Sequence, residues 1–178
     1  FEPLNKAFDI LKELSELDNK WDVHKHALGN KDEESTINIS ENLWSSSILN
    51  ILPAHTNSAP SAKYIDTQKI EVKKIDSIFN TLYTQGDNIL MKMDTQGFEK
   101  YVLEGAQNSL GKVNLLELEM SLVPLYEDEL LYCDMIKYLE EKGFQLFFIE
   151  NEFTNPETGQ LLQINGIFAN SNFLPPSK

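Results

Sequence analysis

The 178-residue chain carries 28 acidic and 15 basic residues, a formal net charge of -13, with 41% apolar and 24% charged residues. That length fits a single domain with enough apolar material for a core. The acidic balance speaks against nucleic-acid partners, which need Lys and Arg to displace counterions, and against docking on anionic lipid.

The lone cysteine, Cys133, excludes an intrachain disulfide and a cysteine-rich zinc cluster. It falls within a helical pattern, where a small buried hydrophobe is expected. No apolar run is long enough to span a bilayer and no leader is visible, so a cytoplasmic protein without membrane insertion is expected.

In chain order, FEP (Phe1–Pro3) reads as the end of a strand. A helix follows, with Asn5 as its N-cap and Ala7, Ile10, Leu11, Leu14 and Leu17 at helical spacing. Trp21–Leu28 reads as a strand closed by Gly29. Two extended pieces, Ser35–Ser40 and Lys69–Lys74, flank a loop rich in Ser, Asn, Pro and Ala. Asp76–Thr84 is a short helix begun by an Asp cap, Asn88–Met93 an apolar strand, and Phe98–Leu110 a helix burying Phe98, Val102, Ala106 and Leu110. Val113–Met120 is a strand, and Glu127–Lys142 is a helix ended by Gly143, which suits a left-handed C-terminal residue. The last two strands, Phe144–Glu150 and Leu161–Asn170, are joined by the turn NPETG (Asn155–Gly159).

Strands alternating with helices predict an α/β fold with a mostly parallel sheet over residues 1–178. The connection from Glu150 to Leu161 leaves no room for a crossover helix, so the terminal strand should pair antiparallel.

Three stretches carry chemistry. Glu2 ends a strand-like fragment, where an acidic side chain in dinucleotide-type folds accepts hydrogen bonds from ribose hydroxyls, although a surface Glu is the blander reading. DTQGFE (Asp94–Glu99) follows an apolar strand, so Asp94 and Gln96 stand at the carboxyl end of the sheet, where ligands bind. Gly97 permits close backbone approach, and Glu99 in the first helical turn is favoured by the helix dipole. Lys92, inside the apolar strand, needs an acidic partner, which Glu117 or Glu119 can supply. In LLELEMS (Leu115–Ser121) the two glutamates share one face, with Glu119 nearer the mouth of the sheet. His55, in the loop Ile51–Ala62, is the loop histidine available as a general base. His24 and His26 read as ordinary strand histidines, Tyr126, Tyr132 and Tyr138 as core or helix-face residues, and no metal is expected.

The ordered set FEP, ALG (Ala27–Gly29), SSS (Ser45–Ser47), VKKIDSI (Val72–Ile78), LMKMDTQGFEKYVLEGA (Leu90–Ala106), LELEMS, GFQLFFI (Gly143–Ile149) and LLQINGIFA (Leu161–Ala169) resembles FkbM-type methyltransferases. That resemblance implies a Rossmann-like sheet with an antiparallel terminal strand and S-adenosyl-L-methionine as methyl donor. The acceptor is implied to be a hydroxyl on a glycan or secondary metabolite. It implies that Glu2 holds the ribose, that Ala27 and Leu28 border the adenine, and that Asp94 and Gln96 lie near the methionine moiety or acceptor. The family's first strand and glycine-rich loop have no counterpart before FEP, so an N-terminally incomplete domain is expected, leaving a gap with two long unpaired sheet edges. A hydroxyl acceptor needs a base within hydrogen-bond reach, and Asp94 ranks first for it, followed by Glu119 and His55. The competing classes are a catalytically silent binding module with the same fold and a nicotinamide-dependent oxidoreductase.

Overall fold

The computed structural model describes residues 1–174 and places them in an α/β arrangement of two sheets. Its elements are α1 (Asn5–Ser15), β1 (Ala27–Leu28), β2 (Glu33–Ser40), α2 (Pro53–Ser58), β3 (Tyr64–Lys73), α3 (Ile75–Leu82), β4 (Leu90–Met93), α4 (Glu99–Glu104), β5 (Leu115–Ser121), α5 (Tyr132–Glu141), β6 (Phe144–Asn151) and β7 (Gln163–Asn170). One sheet has the order β1-β3-β2, the other β4-β5-β7-β6.

The terminal strand pairs antiparallel as expected. β7 lies between β5 and β6, with Leu116 opposite Phe168 and Leu146 opposite the same residue on the other side. The mostly parallel sheet is corrected. Among the described strands, only β1 with β3 and β4 with β5 run parallel, while β2–β3, β5–β7 and β6–β7 are antiparallel. The two extended pieces around the Ser/Asn/Pro loop are longer than expected and pair with each other, Glu33 opposite Val72 through Ser40 opposite Tyr64. A chain returning through the six-residue α2 has no crossover helix to carry it parallel.

The core follows the strand periodicity. On β5, Leu116, Leu118 and Met120 are buried on one face, and Glu117 and Glu119 lie on the other. Against the buried face pack Val102 and Leu103 of α4, Leu139 of α5 and Phe168 of β7.

Several element boundaries differ for identifiable reasons. Asn5 is the first helical residue rather than the cap; the N-cap position is Leu4, and the Glu2 carboxylate accepts its amide at 2.8 Å. Asp76 does not cap α3 but ties it to the segment after α4, accepting from the Ser109 hydroxyl at 2.6 Å and from the amides of Asn108 and Ser109. Of Trp21–Leu28, only the last two residues form a strand. The helix expected over Phe98–Leu110 stops at Glu104, because backbone packing takes over. The Gly105 carbonyl accepts the Asp76 amide at 2.9 Å, and a Cβ on Gly105 would lie 1.9 Å from the Gly29 carbonyl oxygen. α5 begins at Tyr132, after Asp128 turns the chain at φ 59°, and it ends before Gly143 at φ 86° as expected. Cys133 is exposed, not buried.

Among the described residues β4 pairs only with β5. Leu90, Met91 and Met93 of β4, together with Leu28, Phe79 and Phe1, line an apolar groove of about 280 Å³ between the two sheets. The expectation of two long unpaired edges is corrected: β1 and β4 offer short edges, of two and four residues.

Candidate active site

β4 delivers Asp94, Thr95, Gln96 and Gly97 to the space between the sheets. Gln96 and Gly97 take φ values of 55° and 90°, two successive left-handed residues that turn the chain sharply into α4. A left-handed non-glycine residue costs on the order of 1–3 kcal/mol, so the turn needs external support. The Ser47 hydroxyl donates to the Gln96 carbonyl at 2.7 Å, and the Tyr126 hydroxyl donates to Gln96 Oε1 at 2.6 Å. Gln96 Nε2 in turn donates to Asp94 Oδ1 at 2.8 Å and to Glu119 Oε2 at 3.1 Å. At roughly 1 kcal/mol net each, these bonds offset the strain.

This loop forms one wall of a cavity of about 410 Å³. All five residues singled out for the cofactor, Glu2, Ala27, Leu28, Asp94 and Gln96, line it. Asp94 is exposed at the end of its strand, whereas Ala27 and Leu28 are half-buried and form an apolar wall. Burial pushes the Glu2 carboxyl up, and the Leu4 amide on its oxygen pulls it back down in part. The helix-start role and the cavity-lining role of Glu2 therefore coexist.

Glu119 and His55 do not line this cavity. Glu119 sits behind Gln96, where the amides of Gln96 and Gln163 donate to the same oxygen at 3.1 and 2.8 Å. Burial, reinforced by the charges of Asp94 and Glu99, pushes it up to about 8, so at neutral pH it is a protonated acid and not a base. His55 lies in α2, packed edge-on against Tyr126 and tilted against Phe153, each at 5.2 Å. Burial lowers it to about 4, and its Nδ1 has no partner. The expectation of a loop histidine over the acceptor is thus corrected to a neutral, enclosed ring. Glu99 is buried and commits one oxygen to the Thr95 amide and hydroxyl at 2.8 and 3.0 Å; burial raises it to about 7. Its role at this loop is structural.

Lys92 does pair with Glu117, at 2.7 Å, but it is exposed rather than buried. His24 and His26 are outside any strand and stack with Phe1. No group of three metal-ligating side chains occurs among the described residues.

Two residues escaped the sequence reading. Tyr126, taken for core, is 1% exposed yet spends its hydroxyl on the site. Trp44 stands 81% exposed on the cavity rim, following Leu43 at φ 69°. Its neighbours Ser45–Ser47 were noted, but no local pattern tells an outward tryptophan from a core one.

A family profile described as Methyltransferase FkbM domain matches residues 1–146. No curated protein and no solved structure matches the chain.

Proposed function

The chain belongs to the FkbM methyltransferase family, and from that premise we propose that it moves a methyl group from S-adenosyl-L-methionine to a hydroxyl of a glycan or other small-molecule acceptor. The observation that carries this reading is the convergence of Glu2, Ala27, Leu28, Asp94 and Gln96 on one cavity of about 410 Å³. Small-ligand sites usually measure roughly 300–1,000 Å³.

The residues present fit the cofactor. A ribose diol calls for an acceptor such as the Glu2 carboxylate, a flat base for an apolar wall such as Ala27 and Leu28, and a cationic sulfonium for nearby negative charge, which Asp94 offers. When bound, the cofactor supplies an electrophilic methyl group. The chain's own contribution is to align the acceptor, which is worth roughly 7–11 kcal/mol when the geometry is right. Asp94 then accepts the hydroxyl proton as attack develops. It is the one carboxylate of the cluster that is both exposed and on the cavity, whereas Glu119 is held protonated and Glu99 is bonded to Thr95.

The apolar groove along the free edge of β4 leaves that edge open to pairing with one more extended segment. The antiparallel insertion of β7 argues against a nicotinamide oxidoreductase, whose sheets are typically parallel throughout.

Calorimetric titration with S-adenosylhomocysteine tests the cofactor: binding supports the proposal, and no binding leaves the silent-module reading. Asp94→Asn is expected to reduce methyl transfer roughly 10²–10⁴-fold with the fold intact, and near-normal turnover would remove Asp94 from the base role.

A further inference from the structure

We infer that Tyr126 is a positioning residue: its hydroxyl fixes the side-chain amide of Gln96, and through that amide it fixes how Asp94 is presented to the cavity. The inference rests on Asp94 having the role proposed above, and it adds a residue 30 positions away that no sequence motif connects to the site.

An amide side chain has one accepting and one donating end, and its orientation is decided by its partners. Gln96 Oε1 takes the Tyr126 hydroxyl at 2.6 Å, and its Nε2 donates to Asp94 at 2.8 Å and to Glu119 at 3.1 Å. Among the described residues, that hydroxyl is the sole side-chain donor to Oε1, and Gln96 Nε2 is the sole side-chain donor to Asp94. The exposed Asp94 carboxylate therefore owes its fixed orientation to an amide that Tyr126 holds from behind. If the hydroxyl is lost, Oε1 is left facing a phenyl ring. The amide then turns towards water or towards the acid proton of Glu119, and its NH₂ leaves Asp94.

Tyr126 is built as a rigid post for this task. It is 1% exposed, its amide donates to Glu129 at 3.0 Å, and it forms an antiparallel bridge with Ile51. The uncharged His55 ring packs against its edge at 5.2 Å. The ring also braces the backbone of the loop, since a Cβ on Gly97 would lie 3.0 Å from the Tyr126 side chain. Together with the Ser47 hydroxyl on the Gln96 carbonyl, this clamps both the main chain and the side chain of a left-handed residue. An arrangement so over-determined is what a strained functional loop needs in order to persist.

The test is Tyr126→Phe, read by NMR hydrogen exchange of the glutamine side-chain amides. Gln163 is the internal control, because its amide bonds Glu119 at 2.8 Å and Ser121 without involving Tyr126. Exchange at Gln96 is expected to accelerate at least tenfold while Gln163 stays within twofold. Unchanged exchange at Gln96, or equal acceleration at both glutamines, overturns the inference; the second outcome would mark a general loosening. Should the variant fail to fold, Q96M decides: the Tyr126 hydroxyl proton is expected to exchange at least tenfold faster than in the wild type, and equal rates sink the idea. Failure of the wild-type chain to bind S-adenosylhomocysteine refutes the methyltransferase reading alone and leaves the exchange result standing.

Discussion

The two walls of the cavity come from regions of very different solidity. On the β4-β5-β7-β6 side, Leu103, Leu116, Leu118, Leu139 and Phe168 are completely buried. On the other side, α1 has no buried residue, and its Ile10 and Leu14, like Leu17 just beyond it, face solvent. β1, which supplies Ala27 and Leu28, is two residues long. The comparison teaches that the site joins a well-packed sheet, carrying Asp94 and Gln96, to a lightly anchored flank carrying Glu2. Local stability tracks buried apolar contact, so the wall carrying Glu2 should open more readily than the wall carrying Asp94.

The comparison can be broken most directly in the solid half. Leu103→Ala removes a completely buried side chain and is expected to cost about 2–5 kcal/mol in urea-unfolding free energy. The junction between the regions comes next. Gly105→Ala drives a methyl into the Gly29 carbonyl at 1.9 Å, backbone against backbone, and should cost about 3 kcal/mol. Hydrogen exchange should then show the segment around Ala27–Asn30 freed more than β5. Equal effects in both places would mean that the two regions unfold as one unit.

pH sharpens the picture at the site itself. Glu99 and Glu119 are raised to about 7 and about 8 from an ordinary 4.5, so between those values the folded state binds more protons than the unfolded chain. Their contribution to stability is full below the unfolded pKa and is lost as pH rises through the folded ones. Asp32 and Asp76, which are lowered from 3.8, act only in the more acidic range. The melting temperature should therefore fall by several degrees from pH 5 to pH 9, and Glu119→Gln should flatten that slope. A melting temperature independent of pH in both proteins would contradict the buried-acid description. The smallest effect belongs to the loose flank. Leu14→Ala, on an exposed face, should change stability by no more than about 0.5 kcal/mol. A cost comparable to that of Leu103→Ala would show α1 to be packed in solution.

Much of the architecture was legible because period and punctuation are local. The alternation in LLELEMS placed Leu116 and Leu118 inward and Glu117 with Glu119 outward, Gly143 ended its helix, and the short link after Glu150 forced an antiparallel pair. The split of the sheet was not legible, since strand partners are chosen by contacts remote in sequence. The Phe98–Leu110 helix failed for a similar reason: its apolar spacing is helical throughout, yet the close approach of Gly105 to Gly29 ends it early.

For the site, the sequence by itself determined the residue types and their order: the acid in FEP, a small apolar pair, and Asp94 with Gln96 at the end of a strand. It did so because strand ends and glycine turns leave local signatures. Only the tertiary structure decided which acids are free to act. Glu119 becomes a protonated acid, Glu99 a loop tie and His55 a neutral packing ring because each is enclosed by neighbours distant in the chain. Burial and hydrogen-bond partnership are properties of three-dimensional surroundings, and they leave Asp94, bonded by Gln96 that Tyr126 bonds in turn, as the exposed carboxylate on the cavity.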